Sequence, residues 1–456
     1  MTEKNNVKIK RQPPKPEKRL SDHPIVTVLR IRNLRYLWLG QSFSTLGTQF
    51  YMIALPWLVL RLTGDPFKMG TVLALAGIPR AFFMLLGGAL TDRFSPRTLM
   101  LYSNFTRMLV VGLLAALVLT ENVDLWMMYA LGLIFGLADA FYFPAQSSII
   151  PRIVKLEHLL AGNSIIQGTT QLSIAVGPAL AGGLIALFSG SPEAGAAHGL
   201  GATQATDATG IGMAFGINTL GYFISIITLL MIKVSNLPET EQKAATKNVI
   251  SSISHGLIYL FKDKTLRLLV LVNGISHFCM EGPLFVGIPV LANSRFPEGA
   301  AAFGIIMSSF GAGMLLGIIL AGTLPKLPSK SMGMILLIII SFSGLGLMIF
   351  GFIASTFIAA LVVLCMATAQ GFVVIQYTSW IQGRTPDVFL GRVFSVIMFV
   401  SVGLTPISQA LAGALIKINT AGLFLGAGIL MSMVVGLVAF RPEMRSMGLE
   451  LKKVSL

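Results

Sequence analysis

The chain has 456 residues, of which 54% are hydrophobic and 12% charged, and its mean hydropathy is +0.78. Those values exclude a soluble globular protein of this length, which needs far more polar surface. The formal charge of +15 resides in short loops and tails, where it is a topology signal rather than a nucleic-acid footprint.

In chain order, residues 1–35 form a basic segment with no apolar core behind a short basic start, so it reads as a cytoplasmic tail and not as a signal peptide. Its lysines and arginines read first as positive-inside anchoring, with contact to anionic lipid headgroups, at ~1 kcal/mol each near the surface, as the alternative. Twelve apolar runs follow, at 36–60, 68–91, 98–120, 125–147, 161–189, 210–232, 267–292, 301–323, 331–353, 355–382, 391–416 and 420–440. Each approaches the ~20 residues that a helix needs to cross a bilayer core. The expected fold is an all-α polytopic membrane protein, with twelve transmembrane helices in two six-helix bundles.

The expected division is a bundle over 36–232, a cytoplasmic linker over 233–266, a second bundle over 267–440 and a cytoplasmic tail over 441–456. Within the linker, Ile250 to Phe261 has apolar residues at helical spacing and reads as lying along the membrane surface. The loop from Ser189 to Gly210 is rich in Gly, Ala and Thr and has no basic residue. With both ends inside, roughly 28 of the 34 Lys and Arg fall on the cytoplasmic side and about four outside. Arg80 and Arg107 remain, both within spans. Cys279 and Cys365 also fall in apolar runs, which suggests neither a disulfide nor a metal site.

The densest polar element is the turn from Gly87 to Arg97, between the second and third runs. It is too short to cross a membrane, so Asp92, Arg93 and Arg97 sit at a lipid–water boundary. The two halves also echo each other. Leu180-Ala-Gly-Gly-Leu-Ile185 in the fifth run resembles Leu411-Ala-Gly-Ala-Leu-Ile416 in the eleventh, with Gly177-Pro178 and Thr405-Pro406 before them. Two related six-helix halves with a site between them is the repeat logic of secondary transporters.

Gly88-x-Leu90-x-Asp92-Arg93-Phe94 resembles the loop between helices 2 and 3 of the major facilitator superfamily. Further residues resemble one bacterial branch of drug and siderophore exporters, which contains macrolide efflux proteins and the enterobactin exporter. They are Asn104-x-x-Arg107, Pro144-Ala145, Pro151 with Gly162-Asn163, Gly177-Pro178, Leu284 to Leu291, Thr385-Pro386-Asp387 and Gly391-Arg392-Val393-Phe394-Ser395. The resemblance spans about 30 to 440. It implies that Gly88, Asp92, Arg93 and Arg97 form a latch, with Asp92 at the start of helix 11, where a helix dipole favours an anion. It also implies that Gly177, Pro178 and Gly182 form a helix-5 packing motif. There are departures. Ser95-Pro96-Arg97 replaces the usual Gly-Arg-Arg/Lys ending, Ala181 replaces a glycine of the helix-5 motif, and Phe135 stands where many exporters carry an arginine.

An ionisable residue at bilayer depth costs ~2.5–3.5 kcal/mol on insertion scales and needs a partner, a cavity or a task. Arg107 and Asp139 lie at compatible depths in neighbouring spans. They are either a fixed buried pair or a proton site in which Arg107 favours ionised Asp139 in one state. Glu281 is a candidate for proton or cationic-substrate binding. His277 lies one turn before it, and Gly282-Pro283, just after, is expected to loosen the helix. Arg80 is expected to pair with an acid elsewhere or to attract an anionic substrate. Arg80, Gln49, Gln171, His277 and Tyr377 are the candidate cavity residues.

The resulting expectation is a proton-coupled exporter of a bulky amphipathic molecule in a bacterial inner membrane. It works as a monomer among lipids, with protons and a small-molecule substrate as partners, and needs no cofactor. No Gly-x-x-x-x-Gly-Lys-Ser/Thr run is present, which argues against ATP drive within this chain. Lysophospholipid movement between leaflets remains an alternative, as does a non-transporting receptor. For an enzyme there is no triad, zinc motif or carboxylate pair.

Overall fold

The computed structural model describes residues 24–93, 95–188, 201–233, 260–325, 327–328, 331–445 and 447, with side chains apart from those of 24–26, 84–93, 201–207 and 387–388. The long helices are α1 (Arg32–Thr63), α2 (Pro66–Arg93), α3 (Pro96–Leu119), α4 (Leu125–Ile153), α5 (Leu159–Phe188) and α6 (Gly201–Met231). They continue as α7 (Lys264–Ser294), α8 (Ala300–Thr323), α9 (Met332–Phe350), α10 (Thr356–Arg384), α11 (Asp387–Ile418) and α12 (Thr420–Ala439). Among the described residues, 11 of these are long and apolar enough to cross a membrane. The remaining one, α2, is 28 residues long, and the side chains of its second part, 84–93, lie outside the described residues. Several helices run past the expected apolar limits: α1 spans Arg32–Thr63 rather than 36–60, and α6 begins at Gly201 rather than 210. Helical hydrogen bonding does not stop where the apolar run stops, so polar residues extend the ladder beyond the bilayer core. The surface segment expected within 250–261 lies, apart from 260 and 261, outside the described residues.

The ends follow local chemistry. Gly64 ends α1 with φ at 61°, a left-handed conformation that glycine adopts without a steric penalty, and its N–H donates to Leu60 O. Proline opens α3 at its first turn. Asp263 caps α7 by accepting from the backbone N–H groups of Thr265 and Leu266.

In the first half α1 packs on α5 and α6, α3 on α4 and α6, and α2 on α4; in the second α8 packs on α10, α9 on α12 and α7 on α11. Two seams join the halves, α5 with α8 and α2 with α11. Alternating crossings put both chain ends, with the α2–α3 and α6–α7 connections, at one end of the bundle (the terminal end). The α1–α2, α7–α8 and α11–α12 turns lie at the other (the far end).

The seams run from midspan to the far end. A Cβ on Gly182 would lie 2.9 Å from the Gly304 Cα, and one on Gly304 would lie 2.9 Å from the Gly182 Cα. Only glycine lets the backbones approach this closely, as in other lipid-embedded helix pairs. Gly70 and Gly413 face each other in the same way at the second seam. The sequence echo therefore has a physical basis: both copies of the small-residue stretch carry a contact between halves. Polar links reinforce the seams. Ala179 N donates to Ser308 Oγ at 2.8 Å, and Lys417 Nζ lies 2.8 Å from Asp65 Oδ2. Arg61 Nη1 donates to Asn293 Oδ1 at 3.3 Å.

Candidate functional site

A cavity of about 310 Å³ lies between the halves, lined from the first by Tyr51, Arg80, Phe135 and Asp139, and from the second by His277, Glu281, Ser401 and Gln409. Four of the five ionisable residues Arg80, Arg107, Asp139, His277 and Glu281 thus line one space. The fifth, Arg107, lies directly behind it.

Asp139 on α4 sits between two arginines. Arg107 Nη1 on α3 donates to Oδ1 at 2.9 Å, and Arg80 Nε on α2 lies 3.6 Å from Oδ2. The two arginines differ in setting. The Arg107 side chain is 4% exposed and that of Arg80 is 42% exposed. Arg107 also donates to Asn104 Oδ1, and Asn104 donates onward to Ser225 Oγ at 2.9 Å. Its guanidinium lies 3.9 Å from the Tyr142 ring centroid and 4.8 Å from that of Tyr222. A desolvated cation over aromatic faces gains ~2 kcal/mol. Arg107 is therefore fixed, whereas Arg80 reaches into the cavity and can leave Asp139 without unpairing it.

Phe135 stacks on Tyr51 with ring centroids 4.4 Å apart, giving an aromatic wall one turn from Asp139. Across the cavity, Glu281 Oε1 on α7 lies 3.6 Å from His277 Nδ1. The loosening expected at Gly282-Pro283 takes a definite form, a π-helical stretch over Pro283–Gly287. Ser408 of α11 enters the α7 ladder there. Its Oγ accepts from Gly282 N at 2.8 Å and donates to Phe278 O, the carbonyl that Gly282 would meet in an unbroken helix.

The other candidates sit elsewhere. Gln49 packs on Gly177, and Gln171 Nε2 donates to Gly311 O at 3.4 Å across the α5–α8 seam. Neither belongs to the lining of the central cavity. Tyr377 lines a smaller chamber inside the second half. Pro178 and Gly182 pack on Gly304 at the seam. Arg97 donates to Leu229 O and Leu230 O, both at 2.8 Å, near the end of α6. The side chains of Gly88, Asp92 and Arg93 lie outside the described residues.

Outside the spans, Asp65 joins the two halves. Burial pushes its carboxyl up, but the Lys417 hydrogen bond and the backbone donors of Phe67 and Lys68 outweigh that and hold it below the ordinary range. No periodicity or motif pointed to this pair. Its partners are 352 residues apart in sequence.

The sequence pattern of the Major Facilitator Superfamily matches residues 37–407. The chain belongs to the major facilitator superfamily. It is a multi-pass membrane transporter and not an enzyme. It is 24% identical over 429 residues to the multidrug efflux pump Tap of Mycolicibacterium fortuitum, covering 89% of this chain and 95% of that one. It is 23% identical to the enterobactin exporter EntS of Escherichia coli O81 (strain ED1a), covering 84% of each chain. In fold it resembles a bacterial homologue of the iron transporter ferroportin in its inward-facing state, with a TM-score of 0.64 and 14% identity over 90% of this chain and all of that one.

Proposed function

We propose that this major facilitator protein is a proton-coupled exporter of a bulky amphipathic small molecule, working as a monomer by alternating access. The observation that carries this reading is one cavity with an acid on each side of it, Asp139 held by two arginines and Glu281 beside His277, closed off at the far end by both seams. Largely apolar walls with sparse polar groups suit a bulky amphipath. Likeness to an efflux pump and a siderophore exporter supports outward movement. The termini and the linker are assigned to the cytoplasm of a bacterial inner membrane, which makes the described state inward-facing. The turn carrying Gly88, Asp92, Arg93 and Arg97 is assigned as the latch of the opposite state, and Pro178 and Gly182 as the seal of this one, with Gly177 packing α5 on α1 beside them.

In this mechanism Glu281 carries the proton and substrate binding displaces it. Asp139 keeps Arg80 oriented until a substrate group competes for that guanidinium. The test uses everted, acidified vesicles and follows proton release on adding macrolides, dyes, catecholate siderophores or lysolipids. A response to one compound class that is lost in Glu281→Gln supports the reading. A response unchanged in both Glu281→Gln and Asp139→Asn refutes the assignment of either acid. Leaflet exchange of lysolipid without proton release refutes export by proton antiport.

A further inference from the structure

A second chamber, of about 80 Å³, lies inside the second half between α7, α9, α10 and α12. Its walls are mostly apolar, with Leu336, Leu337, Ile340, Val373 and Met431 among them. Three buried polar atoms in its lining, Ser276 Oγ, Gln370 Oε1 and Tyr377 Oη, have no protein hydrogen-bond partner. In a packed bundle each such atom costs ~1–3 kcal/mol. Three in one small chamber satisfy what ordered water requires, namely room for at least one molecule and two to four polar neighbours. The chamber is also elongated. Its α7 lining runs from Leu269 to Met280, about 16 Å along the axis at ~1.5 Å per residue. Leu269 lies near the terminal end and Met280 is adjacent to Glu281. His277 lines both the chamber and the central cavity.

We infer that this chamber holds a chain of ordered water along Tyr377, Gln370 and Ser276, through which the His277–Glu281 pair exchanges its proton with the terminal-end solvent. The inference rests on the reading of Glu281 as the proton carrier. It gives the proton a path that does not cross the central cavity, so a bulky solute there does not block its departure. The charged groups facing the pair are Arg80 and Asp139 across the cavity. From α11 it meets Ser401, Thr405 and Gln409, and among the described lining residues α9, α10 and α12 offer no charge and only Tyr377 as a titratable group.

Two measurements on the purified full chain in lipid nanodiscs test this. The first is radiolytic hydroxyl labelling, which marks side chains beside bound water even when they are buried. Met280 and Met431 should oxidise about tenfold faster than Met366, which packs in the core with 1% exposure. Equal rates mean a dry chamber and overturn the inference. The second follows the infrared carboxyl band of Glu281, identified by its loss in Glu281→Gln, after a pH jump. A bulky maleimide on Val402→Cys, in a chain with Cys279→Ala and Cys365→Ser, plugs the central cavity. The band should still appear in the plugged protein and slow about tenfold or more when Gln370→Leu is added. Gln370→Glu, which keeps an oxygen, should restore the rate. A plugged protein that no longer protonates Glu281, or one indifferent to Gln370→Leu, overturns the path. Absence of the band in the unplugged wild type overturns Glu281 as carrier, a separate failure.

Discussion

Lys417→Met should open the far end. The substitution keeps the apolar stem and removes the ammonium that reaches Asp65 from the other half. The Lys417 side chain is 48% exposed and that of Asp65 19%, so solvent screens the pair. Exposed ion pairs contribute ~0.2–1 kcal/mol. The ammonium also lies 5.4 Å from the Phe67 ring centroid, worth ~0.5 kcal/mol at an exposed site. After the change Asp65 keeps its hydrogen bond from Phe67 N at 2.9 Å, so no unpaired buried charge is left behind. The net effect is about 1 kcal/mol, or ~5-fold in the ratio of closed to open far ends. Spin labels at Glu121 and Phe352, both on far-end turns of opposite halves, read that ratio by electron–electron double resonance. Asp65→Asn should give a similar shift, and the double variant no more than either alone. Because the closed state holds the Asp65 carboxyl below its ordinary value, the contribution is complete above about pH 4 and is lost as pH falls through the depressed value. Distance distributions identical to wild type in both single variants would refute a closing role for the Asp65–Lys417 pair.

Arg107→Met leaves Asp139 with Arg80 alone and should cost less than the ~3–5 kcal/mol of a fully orphaned buried partner, read as a lowered thermal midpoint. Adding Asp139→Asn should recover most of it. Gly182→Val places a side chain against the Gly304 backbone, so the same spin-label pair should report a far end that no longer closes. Ser408→Ala removes both hydrogen bonds between Ser408 and α7, ~1–2 kcal/mol of α7–α11 attachment, read as a lowered thermal midpoint.

Much of the fold is legible in the sequence because lipid forces it. Each crossing must satisfy its own backbone, so apolar length alone marks the helices. Burial cost made Arg80, Arg107, Asp139 and Glu281 conspicuous in the same way, and all four converge on one site. What could not be read is which pairs meet. Arg80 needed an acid, but its choice of Asp139 depends on how α2 packs on α4. Gln171 and Tyr377 are polar residues of the same kind as Gln409, yet only Gln409 faces the central cavity, because rotation about a helix axis is set by neighbours. Ser408 and Lys417 act through tertiary contact and have no local signature.

The serine that enters α7 bears on how the protein is made. During synthesis α7 precedes α11, and the hydrogen bond between Gly282 and Ser408 joins residues 126 positions apart. Until α11 arrives, Gly282 N has Phe278 O within its own helix, while Pro283 and Pro289 free the carbonyls of Cys279 and Phe285. The nascent seventh helix can therefore enter the bilayer with its first part, up to Gly282, intact. The link from Ser408 is made afterwards, when the eleventh helix docks and its hydroxyl reaches Gly282 N and Phe278 O. The hydroxyl inserted beside Glu281 belongs to the finished half, and α7 expressed alone would lack it.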